Sequence, residues 1–176
     1  PATGAEAYSN WIGAVDSTNQ IGVKNIADLR AYPYYAIAAA KKSSNDRPFI
    51  NLLGYYERND GGGGQFYWDD TCTHLDDGGR YIKPTDIVGS GAWHRVMDRI
   101  VNVLWFGAHR IYGTDNAAIL NLCVKVAEQY ITSVDGIAKG RGVVYIPSGR
   151  YRMSTPLYIT ETVEIIGEGS GFFPFQ

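Results

Sequence analysis

The stretch "GVVYIPSGRYRMSTPLYITETVEIIGEGSG", residues 142–171, decides the fold class. Strand-like runs at 143–146, 151–153, 157–159 and 163–166 are separated by tight connections at 147–149, 154–156 and 160–162. Strands this short, joined by two or three turn residues, suit the coils of a parallel β-helix, where each turn buries a few inward side chains against the next. Such a solenoid needs at least about three coils for a continuous core. Little more than one precedes the closing "GFFPFQ", so the pattern reads as the opening of a longer, cut-off solenoid.

Working back from there, "ITSVDGIAKGRG" (131–142) reads as a loop and "TDNAAILNLCVKVAEQY" (114–130) as the one clear helix. Thr114 or Asp115 can cap it. Ile119, Leu122, Cys123, Val126 and Tyr130 fall on one face, and Asn121, Lys125 and Glu128 on the other. That one-sided pattern predicts an apolar neighbour on one side only. "VNVLWFGAH" (101–109) reads as a strand.

Further upstream the rhythm changes. "VKNIADLRAYP" predicts a short helix with Ile26 and Leu29 on one face, stopped by Pro33. "RPFINLLGYY", "GGQFYWD", "GGRYIKP" and "GAWHRVM" follow, each an aromatic or β-branched run bounded by Gly, Asp, Asn or Pro. Four such runs predict a small antiparallel β module. The glycines of "NDGGGGQFYWDD" (59–70) lack the Lys-Ser/Thr and helix that a phosphate loop needs, and no calcium-loop spacing of carboxylates is present. They are expected to supply positive φ in a hairpin or bulge.

Composition agrees with a β-rich chain. Of 176 residues, 21 are Gly and 13 are Tyr, and 45% are hydrophobic. A net charge of −2 gives no general attraction to nucleic acid or anionic lipid, and the Lys41-Lys42 doublet reads as a solvated turn. No run is long enough for a membrane span, and the start has no signal-peptide pattern, which leads to the expectation of a soluble protein made in a cytoplasm. Cys72 and Cys123 have no metal-ligand spacing, and Cys123 falls in the apolar pattern of the helix as a buried thiol. The start of the chain is small, polar and loop-like, apart from Trp11 and Ile12, which either anchor a partner or join the chain's own core.

At "NVLWFGAHRIYGTDNAAI", "GVVYIPSGRYRMSTPLYI" and "VEIIGEGSG" the sequence resembles the opening of the pectate-lyase-like β-helix proteins, which include bacteriophage tailspikes and capsule depolymerases. The matching residues are Phe106-Gly107-Ala108, Thr114-Asp115-Asn116, Ala117-Ala118-Ile119, Val144-Tyr145-Ile146-Pro147, Gly149, Tyr151, Gly167 and Gly169. The departure is "HRIYG" (109–113), where that family has a Gly-Asp-Gly turn and only Gly113 is kept. "IADLRAYP", "GYYERNDGGGGQFYWDD", "DDGGRYIKP" and "GAWHRV" resemble the small β module that precedes this β-helix in phage spikes. The two resemblances together cover roughly residues 23–171.

The resemblance implies a mainly β chain in three parts. These are a virion-proximal tail (1–22), a small antiparallel β module (23–100), and a capping helix with the first coils of a right-handed parallel β-helix (101–176). It implies a homotrimer that binds another virion protein through the N-terminus and bacterial surface polysaccharide through coils downstream. The location would be the phage tail, after synthesis in the bacterial cytoplasm. No cofactor, metal, nucleic acid or membrane is expected.

Polysaccharide cleavage needs paired carboxylates, or a base with a cation. Asp76, Asp77, Asp115, Glu161, Glu164 and Glu168 are the acidic candidates, each with a structural reading as turn, helix cap or solenoid wall. His74, His94 and His109 have no partners at metal or triad spacing, and His94 points opposite to Trp93 and Arg95. No residue is assigned to catalysis, a cofactor or a metal in this stretch, whose role would be structural. Two alternatives stand beside it: a truncated bacterial pectate-lyase-like enzyme, and a carbohydrate-binding module whose aromatic strands stack on sugars.

Overall fold

The computed structural model describes residues 22–41, 47–111, 113–130, 133–134, 137–138 and 141–169. The expectations for the N-terminal tail, including Trp11 and Ile12, lie outside the described residues. The chain divides into two compact units. The first runs to Val96 and takes in Trp105–Gly107, and the second comprises Met97–Leu104 and the chain from Ala108 onward.

In the first unit, β1 (Gly22–Val23) leads to α1 (Ile26–Arg30) and α2 (Tyr34–Ala40). Then come β2 (Phe49–Leu52), β3 (Gly64–Asp69), β4 (Tyr81–Ile82) and β5 (Ala92–Arg95). They form one sheet in the order β1-β2-β3-β5-β4. The four expected strands are present and pair antiparallel, while β1 adds a fifth strand parallel to β2. Alternation along the strands puts Ile50, Leu52, Phe66, Trp68, Trp93 and Ile82 on one face. That face packs on Ile26, Leu29, Tyr32, Ala36 and Ile37 to make the core. Trp68 and Trp93, directly paired across β3 and β5, meet edge to face with ring centres 5.4 Å apart.

The helix α1 begins where the Asn25 side chain accepts the Asp28 N–H at 2.9 Å. Pro33 ends it as expected, but α2 follows at once and corrects the reading of a single helix. Proline cannot continue a helix, yet it costs nothing just before a first turn whose N–H groups have no internal partner. Here the freed Tyr34 N–H is taken by the Asp86 carboxylate at 2.9 Å. Lys41 is likewise not a solvated turn residue, because its ammonium pairs with Asp70.

The second unit begins with β6 (Ile100–Asn102) and a 3-10 turn at Val103–Phe106. The strand expected at 101–109 is therefore confined to its first residues. Asn102 explains the stop, since its side-chain oxygen accepts the Leu104 N–H at 3.0 Å and turns the chain. Next come α3 (Ala117–Glu128), β7 (Ser133–Val134), β8 (Ile137–Ala138), β9 (Gly142–Ile146) and β10 (Val163–Gly167). β7 and β8 pair antiparallel inside the segment expected to be a plain loop. β6, β9 and β10 form a parallel three-stranded sheet in the order β10-β9-β6, with Val101, Val144 and Ile165 in one column.

The helix α3 packs on β9 and β6. Its buried residues are Ala117, Leu120, Cys123, Val124, Val126 and Ala127, while Ile119, Leu122 and Tyr130 are only half-buried. The buried face is thus rotated from the expected one, toward small side chains that let the helix approach the sheet. Gly142 makes the closest approach, because a Cβ there would stand 2.0 Å from the Ala127 carbonyl oxygen.

The expected outer face of α3 is also partly occupied. Asn121 accepts the Tyr158 N–H and donates to the Pro156 carbonyl, at 2.8 and 3.1 Å. Glu128 accepts the Thr160 and Glu161 N–H groups at 2.7 and 3.0 Å. These bonds explain why 157–159 is not the expected strand: helix side chains take the backbone donors that a sheet ladder would use. Only Arg152, bridged to Asp115, marks the strand expected at 151–153.

Candidate functional site

The glycine-rich stretch proves to be a seat for a buried cation. Arg95 is 1% exposed. Its Nε, Nη1 and Nη2 donate to the carbonyls of Gly79, Gly63 and Gly62 at 2.9, 2.7 and 3.1 Å. The guanidinium carbon lies 4.4 Å from the centre of the Phe66 ring and 5.2 Å from that of Trp105. Burial pushes the Arg95 pKa down to about 9, which leaves it charged at neutral pH. The expected positive φ is found at Gly61 and Gly64. Gly64, at φ 144°, has a second reason to be glycine, since a Cβ there would stand 2.7 Å from Arg95 Nη1.

The same loop is wound around Asp60. Its carboxylate accepts the N–H groups of Tyr55, Tyr56, Glu57 and Gly62 at 2.7–3.1 Å. Partial burial alone would raise its pKa, but these four donors outweigh it and hold the carboxyl below its ordinary range.

Asp76 and Asp77, expected to form a turn, do so and also clamp the module. Asp76 accepts Arg30 Nε and Nη2 at 2.9 and 2.7 Å and the N–H groups of Gly78 and Lys83. Asp77 accepts the N–H groups of Gly79, Arg80 and Tyr81. Burial pushes Asp76 up, and the Arg30 bond with the backbone donors brings it below its ordinary value. Groups with depressed folded pKa values stabilise the fold above the unfolded carboxylate pKa, about 4, and that stability is lost as pH falls through the folded values. Acid titration of the fold is therefore expected to show its loss below about pH 4, with Asp76→Asn flattening that acid limb in a circular dichroism series.

On the outer face of the sheet the rings of Phe49, Tyr67, His94, Tyr81 and His74 form a row, with neighbouring centres 4.4–6.2 Å apart. His94 points away from Trp93 and Arg95, as the alternation requires. Tyr67 and His94 share a hydrogen bond through Nδ1. The faces of Tyr67 and Tyr81 are already covered, by the guanidinium of Arg47 in the first case and by Arg80 and the parallel His74 ring in the second. Phe49, 64% exposed, and His74 at the other end of the row are the exposed rings. The row stacks on itself and offers little flat surface to a sugar.

In the second unit His109, the first residue of "HRIYG", is held by Asn116, which is 0% exposed. Asn116 Oδ1 accepts the His109 N–H at 2.7 Å, and Nδ2 donates to the carbonyls of His109 and Thr114, each at 3.1 Å. One buried amide thus fixes the backbone at His109 and Thr114. Asn116→Ala is expected to cost about 2 kcal/mol by orphaning these buried backbone groups, read as a lowered melting temperature of the helical signal. Asp115 caps in part, accepting the Ala117 N–H at 3.1 Å, and also binds the hydroxyl and N–H of Ser154. Glu168 holds the Ser148 N–H at 3.0 Å, while Glu161 and Glu164 are exposed. Asp76, Asp77, Asp115 and Glu168 are thus each engaged by donors of nearby turns. Among the described residues no group of three or more His, Cys, Asp or Glu is placed to hold a metal, and no helix is long and apolar enough to cross a membrane.

Sequence reasoning did not foresee Arg95 or Asn116 as organising residues. The signal for Arg95 was present in its alternation with Trp93, which places a cation on the core face.

Residues 22–98 match the family model of the phage tail protein small four-stranded beta-sheet domain. Residues 100–174 match that of the rhamnogalacturonase A/epimerase, pectate lyase-like family. The two matches follow one another directly along the chain. Among solved structures, the chain is similar to a tailspike of Acinetobacter baumannii bacteriophage Fri1, described as a capsular polysaccharide depolymerase. The identity is 22% and the TM-score 0.63, over 85% of this chain and 23% of that one. The tailspike of Acinetobacter baumannii phage AM24 gives 22% and 0.59, over 84% and 22%. The enzymatically active domain of tailspike protein 2 from bacteriophage CBA120 gives 21% and 0.52, over 95% and 21%. The chain therefore spans less than a quarter of the length of these tailspikes. No curated protein matches its sequence.

Proposed function

We propose that this chain is the base of a phage tailspike, where a folded β module leads into a right-handed parallel β-helix. The observation that carries this reading is the tandem order of the two family matches, a phage-tail β domain followed directly by a pectate-lyase-like opening. We divide it into a tail of 1–22, a module of 23–100 to which Trp105–Gly107 add, and the β-helix start of 101–176. The helix α3 covers the open end of the solenoid, consistent with its packing on β9 and β6. The protein is a homotrimer on the virion tail, and the polysaccharide-degrading groups stand on coils beyond these. The similarity of 95% of the chain to a part described as enzymatically active supports a place for both units beside the catalytic solenoid.

The test is immunogold labelling of the phage that encodes the sequence, with antibodies raised against the 176-residue chain. Labelled tail fibres or spikes support the proposal, and purified virions without label overturn it. A second reading, a bacterial polysaccharide-active enzyme, is favoured by the rhamnogalacturonase and epimerase description of the second match. Unlabelled virions together with a secreted, sugar-releasing gene product would establish it instead.

A further inference from the structure

His94 stands at the centre of the outer ring row. It pairs directly with Tyr67 of β3 on one side and with Tyr81 of β4 on the other, at ring-centre distances of 4.9 and 4.7 Å. β4 is an edge strand of two residues, paired to β5 through Tyr81↔His94 and Ile82↔Trp93 and flanked by the Asp76–Asp77 turn, whose carboxylates accept the Lys83 and Tyr81 N–H groups. On the far side of Tyr81, the His74 ring lies parallel at 4.4 Å, so the loop bearing His74 rests on the same stack.

We propose that His94 is an acid-sensitive latch: its neutral imidazole, accepting the Tyr67 hydroxyl at Nδ1, fastens β4 and the loop 70–80, and its protonation loosens them. A protonated ring has two donors and no acceptor, so the Tyr67 hydroxyl can no longer donate to Nδ1 and must turn to accept from it. The charge would also arrive beside other cations. Arg80 lies over Tyr81 at 4.4 Å, Arg47 lies over Tyr67 at 5.4 Å, and His74 is a second imidazole.

Two carboxylates face the same region and are already engaged. Asp69 of β3 is bonded to the Thr71 N–H and hydroxyl, and Asp77 of the loop to three backbone N–H groups. Burial, and next Arg80, lower the His94 pKa from its ordinary value. The sign follows: the latch stabilises the fold above the unfolded histidine pKa, about 6.5, and its contribution is lost as pH falls through the folded value.

The experiment is amide hydrogen exchange on the 176-residue chain at pH 7.5 and 5.0, corrected for intrinsic rates. Residues 72–82 are compared with α3 of the second unit, and the His94 ring nitrogens are followed by NMR. Expected is a fall in the relative protection of 72–82 of roughly tenfold for each pH unit separating the unfolded and folded pKa values. His94→Gln abolishes this step. Tyr67→Phe, which removes only the donor to the neutral ring, moves the step to higher pH and serves if His94→Gln does not fold. Equal protection at both pH values overturns the latch. So does an Nδ1 that carries the proton at pH 7.5, or a step that survives unchanged in either variant.

Discussion

Arg95→Ala is expected to lower the stability of the β module by roughly 4 kcal/mol, through a cavity and three abandoned carbonyls. The guanidinium is the single group that the backbones of Gly62, Gly63 and Gly79 share. Without it, two loops distant in sequence lose their common partner, and the faces of Phe66 and Trp105 lose their cation. Against a total of about 5–15 kcal/mol for a domain, such a loss leaves a module of this size close to unfolding at body temperature. Urea unfolding followed by near-ultraviolet circular dichroism measures it, because the edge-to-face Trp68–Trp93 pair gives that signal its chirality. Arg95→Lys is expected to recover little. An ammonium keeps the charge but lacks the planar fork that reaches three carbonyls and stacks on rings. A midpoint for Arg95→Ala equal to that of the parent would show that the carbonyl seat does not hold the module together.

In the second unit, Gly142→Ala is expected to cost roughly 3 kcal/mol by overpacking. The added carbon would meet Ala127 O, C and Cα at 2.0, 2.5 and 2.7 Å. These are backbone atoms of α3, so no rotamer change relieves the overlap and the helix must lift from the sheet. Gly167→Ala on the neighbouring strand is the matched control, since a Cβ there meets nothing within 4 Å. It is expected to stay within about 0.5 kcal/mol of the parent. Equal thermal midpoints for the two variants would mean that α3 does not bear on β9 as closely as the structure shows.

The strands of the module were legible because each carries alternating aromatic or β-branched residues between turn formers. The parallel ladder of β9 and β10 was legible for the same reason. What escaped sequence reading shares one physical cause, competition for backbone hydrogen bonds by side chains far away in sequence. Leu157–Ile159 has a strand's composition, but Asn121 and Glu128 claim the donors around it. Pro33 read as a stop because nothing nearby announced that Asp86 would receive the next helix. On α3, Ile119 and Leu122 outweighed Ala117 and Ala127 in apolarity, although close packing against a glycine-started strand favours the smaller pair. For the candidate site, the turn roles of Asp76 and Asp77 were visible in the glycines that follow them. The seat of Arg95 was not, because its ligands are main-chain oxygens, which no side-chain pattern encodes.

The return of Trp105–Gly107 to the first unit bears on how such proteins can be recombined. The two family matches meet at residue 99, the first choice of joint for grafting this module onto another β-helix. A chimaera spliced there would leave behind the ring over Arg95 and the Gly107 carbonyl that accepts the Tyr56 hydroxyl at 2.8 Å. It would also replace Phe106, whose ring fills the space that a side chain on Gly79 would need. The exchangeable cassette therefore ends after Gly107, and a splice placed there carries the module's own lid with it.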